Sequence, residues 1–189
     1  MIIALFGPPG AGKDTIGKIL VEQYAYRRVA FADKVRELAY ELNPHIFHYG
    51  EPLQSLVDKH GWEVAKRDFG EVRFWLECVG DGCREVLGPD VWINAAFGTN
   101  LFDDDDIVVT DVRKRNEVDW ILNWAASFGY EVGVWYITRN GCKKRPFDEW
   151  QPEWATATIE NNGTVEELAE KVRELVNGLT IPPASTSQR

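Results

Sequence analysis

Nine residues near the N-terminus, Gly7-Pro8-Pro9-Gly10-Ala11-Gly12-Lys13-Asp14-Thr15, constrain this chain more than any other feature. They fit the pattern G-x-x-x-x-G-K, and their neighbours decide what the pattern means. Ile2-Ile3-Ala4-Leu5-Phe6 is an apolar run of strand length immediately before them. Ile16, Ile19, Leu20 and Tyr24 follow at i, i+3, i+4 and i+8, the spacing of one helix face. A strand, a glycine loop and a helix in that order can curl backbone N–H groups round an anion, with the positive end of the helix dipole behind it. Lys13 then reaches the outer oxygens of a phosphate chain. Asp14 stands where such loops usually carry a magnesium-binding Ser or Thr, and Thr15 follows it.

The rest of the chain alternates between the two periodicities. Arg28 to Ala32 reads as a second short strand, and Lys34 to Leu42 as a helix stopped by Asn43-Pro44. Pro52 suits the first turn of another helix. Val72, Trp75, Leu76 and Val79 form an i, i+3, i+4, i+7 stripe, with Gly80 and Gly82 as candidate interruptions. Asp90 can cap a helix running to Phe97. Ile107 to Thr110 reads as a strand, Glu117 to Phe128 as a helix closed by Gly129, and Glu131 to Ile137 as a strand. Ala155 to Ile159 is a further strand, and Val165 to Leu175 the last helix. This order predicts an α/β fold: a parallel sheet covered on both faces, three layers in all. Ligands of such sheets lie at the carboxyl ends of the strands. Lys13 follows the first strand, Asp33 and Lys34 the second, Asp111 and Arg113 the third, and Arg139 the fourth.

A length of 189 residues suits one domain, over 1–179, with a loose Pro-, Ser- and Thr-rich tail over 180–189. A net charge of −9 argues against a nucleic-acid polymer as partner, so an anionic substrate must be drawn by local cations. Cys78, Cys83 and Cys142 are odd in number and match no metal spacing, which points to reduced thiols in a cytoplasm. His45, His48 and His60 form no H-E-x-x-H pattern. No apolar run approaches the ~18 residues of a membrane span, and the first strand leaves no room for a signal peptide. Asp103 to Asp106 reads as a solvated loop, because consecutive side chains do not converge on one ion.

Three further groups carry potential chemistry. Asp111 ends an apolar strand and can hold magnesium beside the loop, with Arg113 and Arg115 offering forked donors to phosphate oxygens. Arg73 and Arg84 are eleven residues apart, a spacing that returns to nearly the same helix face. They read either as the grip of a monophosphate or as two surface ion pairs. Trp75 beside them is either core or a stacking platform. Arg139, Lys143, Lys144 and Arg145 make the stretch between Thr138 and Trp154 basic, which suits either a mobile lid or an exposed loop.

Taken together these residues resemble the deoxynucleoside monophosphate kinases of bacteriophages, within the P-loop nucleoside monophosphate kinase fold. Gly12-Lys13-Asp14-Thr15 looks like that family's GKDT loop. Phe31-Ala32-Asp33-Lys34-Val35-Arg36 is similar to its FAD-plus-basic segment, and Arg73 to Arg84 to its R-x-x-L-Q-x-x-G-t-x-x-R helix. Pro89-Asp90-Val91-Trp92 matches its D-x-W step. Asp111-Val112-Arg113-Lys114-Arg115-Asn116-Glu117 resembles its D-V-R-x-x-N-E segment, and Asn161 to Leu168 its N-x-G-T-x-E-E-L stretch. Glu77 replaces the family's Gln, and Asp148-Glu149-Trp150 stands where a His-Ser-Glu element is common. The resemblance implies transfer of the γ-phosphoryl group of ATP to a deoxynucleoside monophosphate, with magnesium as cofactor. Gly7 to Thr15 would bind ATP; Asp14, Thr15 and Asp111 would place the metal. Asp33, Lys34, Arg36, Arg73, Trp75, Arg84, Asp111 and Arg113 would serve the acceptor, and the fold would carry a helical acceptor-binding insertion. Lys13, Asp14, Thr15, Arg113 and Arg139 would act on the transferring group, under a short lid. Dephospho-coenzyme A and phosphomevalonate kinases, and an ATP-binding regulator, are the alternatives. The oligomeric state, a homodimer included, stays open.

Overall fold

A computed structural model of the chain describes residues 1–98, 106–145 and 148–179. In chain order the elements are β1 (Ile2–Phe6), α1 (Lys13–Tyr24), β2 (Arg27–Val29), α2 (Phe31–Leu42), β3 (His45–Ile46), β4 (Glu51–Pro52) and α3 (Leu53–Asp68). There follow α4 (Gly70–Leu87), α5 (Val91–Phe97), β5 (Ile107–Val109), α6 (Arg115–Phe128), β6 (Val132–Thr138), β7 (Ala157–Glu160) and α7 (Val165–Leu179). They form two compact units: residues 30–98, and the remaining described residues.

The first unit is a five-stranded sheet of order β2-β5-β1-β6-β7, every neighbouring pair parallel. β1 is central and wholly buried, which is why it reads as an unbroken apolar run rather than an alternating one. Ile3 and Leu5 face a core completed by Ile16, Ile19 and Leu20 of α1 and by Leu168, Val172 and Val176 of α7. Alternation sends Ile2, Ala4 and Phe6 to the opposite face. There α6 packs on β1 and β6 with Val118, Ile121 and Ala125 buried. The three layers of the predicted α/β fold are therefore present. Gly17 lets α1 approach β5 closely: a Cβ there would stand 2.6 Å from Thr110 Cγ2.

The second unit is the helical insertion. It packs α2, α3, α4 and α5, with a two-residue antiparallel pairing of β3 and β4 before α3. Phe31, Val35, Ala39, Leu53, Leu56, Val72, Val79, Trp92 and Phe97 form its interior. α4 is continuous through Gly80 and Gly82, so neither candidate interruption breaks it. Gly80 is enclosed by Val35, and the Trp92 Nε1–H donates to its carbonyl at 2.8 Å, so packing outweighs the ~1 kcal/mol helix penalty of glycine.

Several boundaries differ from the sequence reading. β2 ends at Val29, and Phe31 and Ala32 open α2 instead of closing a strand; Ala30 is the extended residue before it. Short apolar runs do not distinguish strand from buried helix by period alone. Pro52 is the residue before α3, not in its first turn. α6 begins two residues earlier than expected, and α7 runs on to Leu179. Asp103 to Asp105 and the 180–189 tail lie outside the described residues. Among the described residues no helix is long and apolar enough to cross a membrane.

Candidate active site

The loop between β1 and α1 is shaped by its glycines. Gly7 leaves the strand at φ +136°, and a Cβ there would stand 2.1 Å from the Ile137 carbonyl oxygen. Gly12 has φ +107° and precedes the first helical residue, Lys13; no side chain caps this helix start. The first-turn N–H groups of α1 are thus left to an external acceptor, the arrangement that favours an anion. The Ala11 N–H donates to Pro8 O at 3.3 Å, and the Ile16 N–H to Gly12 O at 3.0 Å. Lys13 bends back over the loop: its Nζ donates to Gly7 O at 2.7 Å and Pro8 O at 2.9 Å.

Burial lowers the Lys13 ammonium from its ordinary value to about 8. The Asp14 and Asp148 carboxylates oppose that shift, while Arg113 and Arg145 add to it. Lys13 therefore senses four charged side chains from three separate segments of the first unit. A depressed lysine is protonated below its folded pKa and neutral above it. If cationic Lys13 serves phosphate binding, kcat/KM for a nucleotide should fall as pH rises through about 8. The fall in kcat should lie at higher pH, because bound phosphates favour the charged form. A pH–rate profile of the wild type beside Lys13→Arg, which stays charged, checks this; an unchanged alkaline limb in the arginine variant would assign that limb elsewhere.

β5 delivers the next group. Val112 N–H donates to Leu5 O at 3.2 Å, which seats the Asp111–Arg113 segment beside the end of β1. Asp111 and Arg113 are half-buried. Glu117 is buried and accepts the N–H groups of Arg113 at 2.7 Å and Lys114 at 3.0 Å. The Arg113 carbonyl accepts the Glu149 N–H at 3.1 Å. The Arg113 backbone is held from both sides. Arg115 pairs with Asp119 at 2.7 Å and lies 5.4 Å from the Trp154 ring centroid, and Lys114 pairs with Glu149 at 2.8 Å.

Among its described residues the basic stretch after β6 has no helix or strand until a 3-10 turn at Pro152–Trp154. It is tied to the sheet by aromatic packing: Phe6 lies 6.1 Å from Trp150 and 6.3 Å from Trp154, and Tyr136 lies 5.5 Å from Trp150. Lys144 Nζ sits 4.8 Å from the Trp150 ring centroid and donates to the Trp150 carbonyl. Asp148 is buried, and its Oδ2 accepts the Arg145 N–H at 3.2 Å. Arg139 and Lys143 are exposed.

In the second unit, Arg36 pairs with Asp33 at 3.1 Å and Glu63 at 3.6 Å, and Lys34 with Glu37 at 2.6 Å. Arg73 and Arg84 do share the continuous helix α4. Eleven residues of rise separate them by about 16 Å along its axis, however, so the spacing that aligns them does not make them converge. Arg84 Nη1 donates to Gly80 O and Asp81 Oδ1, both at 3.3 Å, while Arg73 is exposed. Trp75 is half-buried, with its ring 6.3 Å from that of Phe74.

Sequence reasoning missed Asn161, Glu117, Asp148 and the tryptophan anchors as parts of this region. Glu117 carried a local signal, an acidic residue at the third position of a helix. Asp148 and Trp150 were placed in the lid by the resemblance alone, with no local pattern that marks their burial.

Asp14, Thr15 and Asp111 offer hard oxygen donors, the chemistry magnesium takes. Among the described residues no three His, Cys, Asp or Glu side chains gather to form a closed metal site. Magnesium held by one or two carboxylates and the substrate's phosphates needs no such cage, so the donor set fits it.

No protein-family model matches the sequence, and no curated protein matches it. Solved structures similar to the chain include shikimate kinase from Aquifex aeolicus, at 16% identity over 94% of this chain and 97% of that one, TM-score 0.43. Shikimate kinase from Acinetobacter baumannii in complex with shikimate is 16% identical over 96% and 95%, TM-score 0.46. APS kinase from Mycobacterium tuberculosis in complex with AMPPNP and APS is 12% identical over 94% and 97%, TM-score 0.46. At such values the fold rests on the topology of the chain itself: a glycine loop after the central strand of a parallel β2-β5-β1-β6-β7 sheet.

Proposed function

We propose that this protein is an ATP-dependent kinase of a small phosphorylated molecule, and that its acceptor is a deoxynucleoside monophosphate. The observation that carries the phosphotransferase reading is Lys13, seated on an uncapped glycine loop among Asp14, Arg113, Arg145 and Asp148. The acceptor rests on the sequence resemblance and on the arginines of the helical insertion.

In this reading an acceptor phosphate oxygen bonds to the γ-phosphorus, and the bond to the β,γ-bridging oxygen breaks as ADP leaves. The attacking oxygen is already ionised, so the protein supplies position and charge neutralisation rather than a strong base. Lys13 leaves Gly7 O and Pro8 O for the β- and γ-phosphates, and the amides of residues 7–15 hold the chain of phosphates. Arg113 and Arg139 face the transferring group. Asp14, Thr15 or Asp111 would hold magnesium, which would supply neutralisation of phosphate charge when bound. Arg84 binds the acceptor phosphate, assisted by Arg36 and Lys34, whose carboxylate partners release them; Arg73, Asp33 and Trp75 line the same unit.

Another P-loop small-molecule kinase fits the loop and its charges equally well, since those features address the donor alone. The test is ADP release measured across the four deoxynucleoside monophosphates, their ribose counterparts, dephospho-coenzyme A and phosphomevalonate. Turnover confined to the last two, or with none of these acceptors, would overturn the acceptor; failure to bind magnesium–ATP would overturn the kinase reading. Arg84→Ala should raise the apparent acceptor constant about tenfold, the scale of one charge-assisted hydrogen bond, and leave ATP affinity unchanged. Loss of ATP affinity instead would remove Arg84 from the acceptor.

A further inference from the structure

The phosphate loop is braced by a side chain from the far end of the sequence. Asn161 follows β7 and is buried, at 8% exposure. Its backbone N–H donates to Thr138 O at 2.8 Å, fixing it to the end of β6. Its Nδ2 donates to Ala11 O at 2.8 Å. Gly12 lies so close that a Cβ there would stand 2.2 Å from the same nitrogen. In a planar trans peptide a carbonyl and the following N–H point in opposite directions. Anchoring Ala11 O on one side therefore turns the Gly12 N–H to the other. Among the described residues that N–H makes no hydrogen bond. Glycine at position 12 also makes rotation of this peptide sterically easy, because it tolerates both signs of φ. A rotated peptide would aim a carbonyl oxygen, not a donor, at an incoming phosphate.

We propose that Asn161 is a positioning residue that holds the Ala11–Gly12 peptide with its N–H facing the bound phosphate. The inference rests on the phosphotransferase reading above. It predicts that the Asn161 donor, not merely its volume, sets nucleotide affinity. Asn161→Asp keeps the shape and removes the donor, and its carboxyl can donate again only when protonated.

The experiment is calorimetric titration with magnesium–ADP at pH 7.5 and pH 5, for wild type, Asn161→Asp and Asn161→Ala, with melting curves of each. Asn161→Asp should bind about tenfold more weakly than wild type at pH 7.5, and the deficit should shrink at pH 5. Asn161→Ala should be weakened to a similar extent at both. A merely structural role would weaken binding without that pH-dependent recovery. If Asn161→Asp melts low, all titrations are made below its midpoint. Wild-type affinity in both Asn161→Asp and Asn161→Ala, or an equal aspartate deficit at both pH values, overturns the inference while the phosphotransferase reading stands. Failure of the wild type to bind magnesium–ADP overturns that reading and the inference with it.

Discussion

Lys13→Ala should lower turnover by at least ~10²-fold, the scale of removing one preorganised contact to developing charge. The fold should survive. The loop's path is set by backbone: positive φ at Gly7, Gly10 and Gly12, and hydrogen bonds from Ala11 to Pro8 and from Asn161 to Ala11. The variant loses two hydrogen bonds from Nζ to loop carbonyls. It also loses a half-buried ammonium whose desolvation lowers its pKa to about 8, which offsets part of that loss. By linkage, the unfolded chain holds a proton on Lys13 between about 8 and the ordinary 10.5 that the folded chain has released. Wild-type stability should therefore gain from this group as pH rises across that window, and the gain should vanish in Lys13→Ala. Melting curves at pH 7 and pH 10 test the stability half, and initial rates with saturating acceptor test the other. Turnover within a few fold of wild type would mean that the glycine loop is not the phosphoryl site.

The glycine loop between its strand and its helix was legible because its signals are local. An apolar pentapeptide, three glycines and a helical stripe all fall within the first 24 residues, and each constrains the others. The position of Asp111 and Arg113 just past an apolar strand was legible in the same way. What failed was whatever depended on distance. The Arg73–Arg84 spacing gives angular position on a helix but ignores the rise, so it left a shared grip and two surface ion pairs both open. Asn161 bonds to a residue 150 positions away, and no local pattern encodes such a contact. The basic stretch from Arg139 to Arg145 showed its charge, but not that Trp150 and Trp154 pin its far end to Phe6 and that Lys144 is engaged by Trp150. The beginning of α2 was misplaced because Phe31 and Ala32 suit a strand and a buried helix face equally.

Gly7→Ala should be the most destabilising single substitution in the loop. Two separate costs fall on that position. Its φ of +136° belongs to a region that side-chain-bearing residues occupy only under strain, of order 1–3 kcal/mol. An added Cβ would also stand 2.1 Å from the Ile137 carbonyl oxygen. That oxygen cannot simply give way. Ile137 is buried in β6, which runs parallel to β1 with Phe6 opposite Tyr136, so moving it slides one central strand against another. Overpacking of this kind costs roughly 1–3 kcal/mol more. At about 2–4 °C per kcal/mol for a chain of this size, the melting midpoint should drop by on the order of 10 °C. Gly10→Ala separates the two causes. Gly10 also has positive φ, +78°, but its nearest neighbour to a Cβ is Cys142 Sγ at 3.6 Å, an ordinary contact. That variant bears the backbone strain alone, roughly 1–2 kcal/mol, and should melt only a few degrees low. Equal midpoints for the two variants would show that β6 yields to the added carbon, and that the close approach of the loop to Ile137 does not hold the site rigid.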